Sequence, residues 1–253
     1  MESLDIIRKD LVDSDKGFYV IRSLYSVNEV NQYLNYCEDF IDTGPKIHTR
    51  INTDNMFDYV HPRSHDKIDR TFRIYQFFHN HESGFVSKFL SKAIDLRKRI
   101  ESQWAFDKEY ELERMKLQNY TIVTSYKDNY GMLPRHKDYE GPAPFPLVQF
   151  WVLLSQPEID YRKGNLVLHT RSGVSYALER DFGLKPGDAV IFDKSLYHEV
   201  EETKTGAGDL RKGRWTVLIG ARAERDPSLL AIYKRLRYSN LLNKLAKTVK
   251  REK

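Results

Sequence analysis

Three side chains in the second half of the chain have the types and the spacing of a metal site. His136-Lys137-Asp138 places an imidazole and a carboxylate two positions apart, and His198 follows 62 positions after His136. In an extended strand, residues i and i+2 point to the same face, so His136 and Asp138 would share a face while Lys137 points away. A second histidine from a facing strand would complete a set of three ligands.

Two histidines and one carboxylate occupy one face of an octahedral ion and leave its other positions open, as in non-haem Fe(II) oxygenases. The tripeptide alone is weak evidence, because a chain with eight histidines and 36 acidic residues can contain a His-x-Asp by chance. Its context is more specific. The turn Lys185–Asp188 leads into the apolar run Ala189–Phe192 and then to His198, and Arg214-Trp215-Thr216 begins another β-like run.

The elements that must position these residues are indicated by a change in apolar period. From about residue 113 the period becomes two, which is typical of strands. The β-like runs, which Pro and Gly separate, are Met115–Tyr126, Leu147–Leu154, Asn165–His169, Ala189–Phe192, His198–Val200 and Trp215–Ile219. Short strands at this spacing predict an antiparallel sandwich or barrel.

Helical patterns flank this region. They cover Val30–Phe40, which a capping box of Ser26 and Glu29 precedes, and Phe85–Trp104, while polar residues 42–70 are interpreted as a long loop. We therefore expect one domain over residues 1–253. Residues 1–110 would form a mostly helical support with entrance loops, residues 111–225 the barrel, and residues 226–253 a basic amphipathic helix.

The charge distribution argues against a nucleic-acid-binding protein. The net charge is 41 − 36 = +5, but residues 226–253 carry eight basic and two acidic side chains, which leaves the other 225 residues at −1. The apolar stripe of this tail is compatible with packing on the barrel or with a homodimer. One cysteine, Cys37, excludes an internal disulfide, and neither a membrane span nor a signal peptide is predicted, so we expect a cytoplasmic protein.

In their order along the chain, these motifs resemble the iron(II)- and 2-oxoglutarate-dependent dioxygenase superfamily, nearest its phytanoyl-CoA dioxygenase-like branch. The matching features lie within residues 17–222. They are Gly17-Phe18-Tyr19-Val20-Ile21, His136/Asp138, the glycine-led run Gly164–Leu168, Pro186–Phe192, His198 and Arg214/Thr216. The resemblance implies a mainly β fold with flanking helices, a double-stranded β-helix of the jelly-roll or cupin-like kind.

The resemblance also implies roles for individual residues. His136, Asp138 and His198 would bind Fe(II), and Arg214 with Thr216 would hold the distal carboxylate of 2-oxoglutarate, because an arginine fork suits a buried carboxylate. Arg211 and Arg222 compete with Arg214 for that role. Trp151 would lie near the co-substrate. Residues with a substrate role would be Gln118, Tyr120 and Tyr139.

The implied activity is hydroxylation of a small molecule, such as an amino acid or natural-product intermediate, with O₂ consumed and succinate and CO₂ released. Halogenating relatives lack the carboxylate that Asp138 supplies, so halogenation is not expected. Arginines in and near the loops 42–70 and 127–146 favour an anionic or zwitterionic substrate. Two other classes stay open: a cupin-like metal-binding protein or isomerase that does not use 2-oxoglutarate, and a module that binds nucleic acid or lipid through its tail.

Overall fold

The computed structural model describes most of the predicted barrel and part of the region before it. The described residues are 4–43, 59–64, 73–78, 84–105, 117–126, 132–138, 148–205 and 213–223. The basic tail 226–253, most of the loop predicted over 42–70 and most of the loop over 127–146 lie outside these ranges, so their predicted roles stay predictions. No helix among the described residues is long and apolar enough to cross a membrane.

Strands outnumber helices in the described part of the chain. The helices are α1 (Leu4–Arg8), which continues into a π-helical turn (Lys9–Asp13), α2 (Val27–Thr43), α3 (Phe85–Ala105) and α4 (Leu178–Phe182). The strands are β1 (Phe18–Ile21), β2 (Tyr59–Ser64), β3 (Arg73–Phe78), β4 (Leu117–Tyr126), β5 (Leu133–His136), β6 (Val148–Leu153), β7 (Tyr161–Lys163), β8 (Leu166–His169), β9 (Ser175–Ala177), β10 (Ala189–Asp193), β11 (His198–Val200), β12 (Lys204–Thr205) and β13 (Arg214–Ala223).

Two antiparallel sheets form the barrel. The major sheet has the order β1-β10-β6-β13-β4-β3-β2, and the minor sheet has the order β5-β11-β8-β9. Strands far apart in sequence are neighbours in both sheets, as a jelly roll requires. The fold is therefore the predicted double-stranded β-helix.

The major sheet is covered on both faces, which explains why β6 is buried at every position. Phe150 and Val152 belong to a core that the sheet shares with α1, α2 and α3. Trp151 and Leu153 point the other way, into a core shared with the minor sheet. Because side chains alternate along a strand, one six-residue run supplies both layers.

The two helices predicted within the described residues are confirmed, and α2 and α3 extend slightly beyond their sequence patterns. At the start of α2, Ser26 N donates to Glu29 Oε2 at 2.9 Å and Glu29 N donates to Ser26 Oγ at 3.3 Å, which is the predicted capping box. The ring of Phe89 on α3 stacks on Tyr33 of α2, with centroids 4.1 Å apart. Helices α2 and α3 thus form one layer behind the major sheet.

The prediction of an uninterrupted loop over residues 42–70 is wrong at Tyr59–Ser64, because these residues form β2. Pro62 within this run argues against a central strand, since proline has no N–H for the ladder. However, β2 is the edge of the major sheet and pairs only with β3. An edge strand tolerates a proline. The polar residues and the proline therefore gave no indication that the sheet extends to β2.

Candidate metal and co-substrate site

The three predicted metal ligands come together at one end of the minor sheet. His136 ends β5 and His198 begins β11, and these two residues pair directly in the sheet. The histidines therefore come from adjacent strands, and the expectation of a facing strand is wrong. Asp138 lies in a bend just after β5, so its carboxylate reaches both rings from outside the ladder.

The distances are those of a preformed chelating group. His136 Nε2 lies 3.4 Å from Asp138 Oδ1, and His198 Nε2 lies 3.6 Å from Asp138 Oδ2. The three ligand atoms all lie within 4.8 Å of one another, and no second cluster of three such residues occurs in the described ranges. His198 is buried, while about a third of each of the His136 and Asp138 side chains is exposed. The group is thus open to solvent on one side.

Backbone carbonyls orient both imidazoles. His136 Nδ1 lies 2.8 Å from the Pro134 carbonyl oxygen, and His198 Nδ1 lies 3.1 Å from the Leu196 carbonyl oxygen. Since a carbonyl only accepts, each Nδ1 carries a proton, and Nε2 is the ring atom that faces Asp138 and can bind a metal once it is unprotonated. Each ring uses the carbonyl two residues before it, so the local backbone selects the metal-binding tautomer.

Gln149 is a neighbour of the metal-ligand cluster that its sequence motifs did not indicate. It lies on β6, its side chain is buried, and its Nε2 donates a hydrogen bond to Asp138 Oδ2. It shares its face of β6 with Trp151 and Leu153, which point into the barrel. Gln149 lies two positions before Trp151, and side chains two positions apart on a strand share a face. The interior role predicted for Trp151 therefore also indicates an interior position for Gln149.

The environment keeps the carboxylate ionised. Burial alone would raise the pKa of Asp138, but hydrogen bonds from His136 and Gln149 and the positive charge that His198 carries when protonated bring that pKa down to about 2. Burial lowers the pKa of His198, which favours its neutral, ligating form. Burial also acts against protonation of His136, but its hydrogen bonds to Asp138 and Pro134 outweigh burial and raise its pKa.

The donor set fits a divalent first-row metal that keeps exchangeable positions. Two neutral imidazoles and one carboxylate supply three ligands on one side, and no fourth candidate belongs to the cluster in the described part of the chain. This is the facial arrangement of non-haem Fe(II) centres. Each Nε2 atom lies within 3.6 Å of an Asp138 oxygen. His136, Asp138 and His198 could therefore hold such an ion.

The three residues predicted for the co-substrate also lie together, inside the barrel. Arg214 begins β13 and is completely buried. Its guanidinium carbon lies 5.3 Å from the Trp151 ring centroid and 5.5 Å from that of Tyr126. Thr216 is buried two positions along the same strand and pairs with Leu153, a residue of the interior core.

Glu179 of α4 is a second residue that the sequence analysis missed. Its Oε1 accepts hydrogen bonds from Arg214 Nε at 3.1 Å and from Arg214 Nη2 at 2.9 Å. Both side chains are fully buried. Burial raises the pKa of Glu179 although the Arg214 charge opposes the rise, whereas Arg214 stays protonated because Glu179 raises its pKa against the effect of burial.

The residues predicted to contact substrate are described less fully. On β4, the backbone of Tyr120 pairs with Gly220 and that of Gln118 pairs with Arg222. On the other side of β13, Ile219 pairs with Phe150 of β6. The antiparallel register therefore places Gly220, and with it the backbone of Tyr120, level with Gln149. Tyr139 and the competing candidate Arg211 lie outside the described residues.

Known proteins resemble this chain in structure but not in sequence. No protein-family model matches the chain, and the search of curated proteins finds no match. Among solved structures, a Pseudomonas putida prolyl-4-hydroxylase superposes with a TM-score of 0.57 at 15% identity, covering 88% of this chain and 100% of that one.

Two further structures have the same fold. A 2OG-Fe(II) oxygenase family oxidoreductase from Burkholderia pseudomallei gives a TM-score of 0.53 at 12% identity, over 87% of this chain and 91% of that one. SnoN, a non-haem α-ketoglutarate-dependent epimerase from nogalamycin biosynthesis, gives 0.52 at 11% identity, over 87% and 82%. At these identities the likeness shows the double-stranded β-helix fold.

Proposed function

We propose that this protein is an Fe(II)- and 2-oxoglutarate-dependent oxygenase that hydroxylates a small molecule. The observation that carries the proposal is the cluster of His136, Asp138 and His198, whose ligand atoms lie within 4.8 Å of one another in a double-stranded β-helix. Two of the similar structures are described as 2-oxoglutarate-dependent proteins, and the third as a prolyl-4-hydroxylase. The phytanoyl-CoA dioxygenase-like branch rests on the motif order alone and is part of the proposal.

Different residues would bind the metal and the co-substrate. His136, Asp138 and His198 would hold the metal, with Gln149 keeping the Asp138 carboxylate in place. Iron bound there would use O₂ and 2-oxoglutarate to oxidise the substrate, with release of succinate and CO₂. Because Asp138 occupies the carboxylate position, hydroxylation fits the site better than halogenation.

Arg214 is proposed to bind the distal carboxylate of 2-oxoglutarate, with Thr216 and Trp151 beside it. Its guanidinium is fully buried and lies close to the rings of Tyr126 and Trp151, which limits its motion and excludes water. Glu179 already balances the charge of Arg214, so an anion would be held there by directed hydrogen bonds that the dry surroundings screen poorly.

The substrate is proposed to be a small anionic or zwitterionic metabolite that reaches the exposed side of the metal cluster. Tyr120 is proposed to contact the substrate, because its backbone lies level with Gln149, whose side chain donates a hydrogen bond to Asp138. Gln118 and Tyr139 are proposed as further substrate residues. A cytoplasmic location and a homodimer belong to the same proposal.

Anaerobic titration tests the proposal directly. Adding 2-oxoglutarate to the Fe(II)-loaded protein should give a weak visible metal-to-ligand charge-transfer band, and admitting O₂ should convert the keto acid to succinate. Arg214→Gln should abolish both signals while leaving Fe(II) binding intact, and Asp138→Ala should abolish metal binding itself. A folded, Fe(II)-loaded protein that gives neither band nor succinate would exclude the proposed activity.

One observation favours a second candidate, a cupin-like metal protein or isomerase that does not use 2-oxoglutarate. Arg214 already has a carboxylate partner, Glu179, so its charge is balanced without a keto acid. This candidate predicts metal binding in the wild type, no charge-transfer band, and no effect of Arg214→Gln on the chemistry of the metal-loaded protein.

A further inference from the structure

A serine, a histidine and a glutamate form a second chain of polar contacts, on the outer face of the minor sheet. Ser175 Oγ lies 2.8 Å from His169 Nδ1, and His169 Nε2 lies 3.4 Å from Glu199 Oε1. His169 is buried, Glu199 is partly exposed and Ser175 is exposed. A hydroxyl beside a histidine, which a carboxylate faces in turn, is the arrangement that activates a nucleophile in acyl-transfer enzymes.

The strands place this group on the side of the minor sheet opposite the metal ligands. Leu168 of β8 packs into the barrel core, so the next residue, His169, points outward, as does its partner Ser175 on β9. Glu199 of β11 directly follows the metal ligand His198 and therefore also points outward. The group is thus separate from the metal cluster, and its serine is open to solvent.

The carboxylate favours the tautomer of His169 that a general base requires. A carboxylate only accepts, so it favours a proton on the facing Nε2 and leaves the lone pair of Nδ1 for the Ser175 hydroxyl. The 3.4 Å contact is longer than a normal hydrogen bond, and Nε2 has no hydrogen-bond partner in the described part of the chain. When the ring takes up a proton its positive charge attracts Glu199, and such catalytic contacts tighten in the transition state.

The backbone of Ser175 supplies a hydrogen-bond donor beside its own hydroxyl. Thr170 N donates to the Val174 carbonyl at 2.8 Å, so the next pair, His169 with Ser175, is a non-hydrogen-bonded pair of the antiparallel ladder. The Ser175 N–H therefore points away from β8. Because β9 is the edge strand of the minor sheet, this N–H can donate to the negative oxygen of a tetrahedral intermediate.

We propose that Ser175, His169 and Glu199 form a separate catalytic site, which hydrolyses activated carboxylic esters through an acyl-enzyme on Ser175. As Oγ attacks the ester carbonyl carbon, its proton passes to His169 Nδ1. The bond to the leaving alcohol breaks, and the alcohol departs with that proton. Water then attacks the acylated serine and gives a proton to Nδ1, and the carboxylic acid leaves as the proton returns to Oγ. This activity needs no metal and does not depend on the proposed oxygenase.

The test uses the full-length protein with 4-nitrophenyl acetate, in the presence of EDTA so that a bound metal cannot activate water. The wild type should release nitrophenolate in a burst followed by slower turnover, and its intact mass should rise by one acetyl group. His169→Gln should slow acylation at least about 100-fold, the lower end of what a general base contributes. Glu199→Gln should slow it by about tenfold or more, because an amide can donate to Nε2 and shift the ring proton to Nδ1.

Two serine variants isolate the nucleophile. Ser175→Ala should lose both the burst and the acetyl group, with Tm unchanged because the side chain is exposed. Ser195→Ala is the matched control, since Ser195 is also exposed but has no histidine partner among the described contacts. Mapping the acetylated peptide of the wild type locates the acetyl group without any variant, so the test stands even if His169→Gln fails to fold.

The outcomes are distinct from those that test the oxygenase. An acetyl group on Ser175 that persists in Ser195→Ala and is lost in Ser175→Ala supports the catalytic site. Acetylation confined to lysines, or equal in wild type and Ser175→Ala, overturns it, as does ester hydrolysis that EDTA abolishes. A folded His169→Gln protein that reacts as fast as the wild type would show that the Ser175–His169 contact only joins β8 to β9.

Discussion

Gln149 donates a hydrogen bond from its Nε2 to Oδ2 of Asp138, the same oxygen that faces His198. This contact links β6 of the major sheet to the bend after β5 of the minor sheet. The carboxylate is therefore held by the barrel interior before any metal binds. Such supporting hydrogen bonds reduce the freedom that a ligand must lose on metal binding.

Replacing Gln149 by Leu should weaken metal binding about 10- to 100-fold, the usual effect of losing a partner of a ligating residue. Titration with Fe(II) or Co(II) under anaerobic conditions measures the change. Gln156→Leu is the matched control, since the Gln156 side chain bonds only to the Pro157 carbonyl among the contacts described. Equal metal affinities in wild type and Gln149→Leu would show that the contact is not needed to orient Asp138.

Asp188, the acidic residue of the Pro-Gly-Asp turn, should be important for stability. Its buried carboxylate accepts from Ser23 N at 2.8 Å, from Lys185 N at 3.0 Å and from Arg22 Nη1 at 2.8 Å. Asp188→Asn should lower the free energy of unfolding by about 2–4 kcal/mol, because an amide cannot satisfy all of these donors.

Chemical denaturation at neutral pH measures this loss. Arg22→Ala is the comparison, since the Arg22 side chain is 51% exposed and an exposed ion pair contributes about 1 kcal/mol or less. A loss from Asp188→Asn no larger than that from Arg22→Ala would mean that the backbone donors find other partners.

Gly187 should tolerate no side chain. Its φ is +91°, and a Cβ there would lie 2.1 Å from the Tyr25 carbonyl oxygen. Gly187→Ala should therefore lower the free energy of unfolding by at least about 3 kcal/mol, since backbone must move. Gly183 provides the control: its φ is +58°, but a Cβ would meet nothing within 4 Å, so Gly183→Ala should cost only about 1 kcal/mol of backbone strain. Equal losses of Tm in the two variants would contradict this account.

The capping box of α2 should make stability depend on acidic pH. Hydrogen bonds from Lys92 and from Ser26 N lower the pKa of Glu29 from 4.5 to about 2. Because the folded-state pKa is depressed, the Glu29 charge contributes stability above about pH 4.5, and the contribution disappears as pH falls toward 2. Glu29→Gln should thus lower the free energy of unfolding by about 1 kcal/mol at pH 7.

Tm values of Glu29→Gln and wild type, measured from pH 7 down to the acid limit of folding, provide the check. The difference between them should shrink as pH falls below about 4.5. A difference that stays constant with pH would show that the charge of Glu29 is not what stabilises the helix start.

Local patterns determine much of this protein in advance. The apolar run around Trp151 predicts a strand, Ser26 with Glu29 predicts a helix start, and His136 with Asp138 and His198 predicts a cluster of metal ligands, all of which the structure contains. These features depend on residues close in sequence or on a strong combination of ligand types. The edge strand β2 escapes prediction because its polar residues and Pro62 match a loop equally well.

Tertiary structure alone decides which groups meet inside the barrel. Gln149 reaches Asp138 across 11 positions and Glu179 reaches Arg214 across 35, and both contacts depend on how the two sheets face each other. The direct pairing of His136 with His198 likewise depends on strand order. Sequence reveals the residue types that can bind a metal or an anion. The packing of distant strands determines which of them are oriented, neutralised or left without a partner, because those contacts form only when the sheets close.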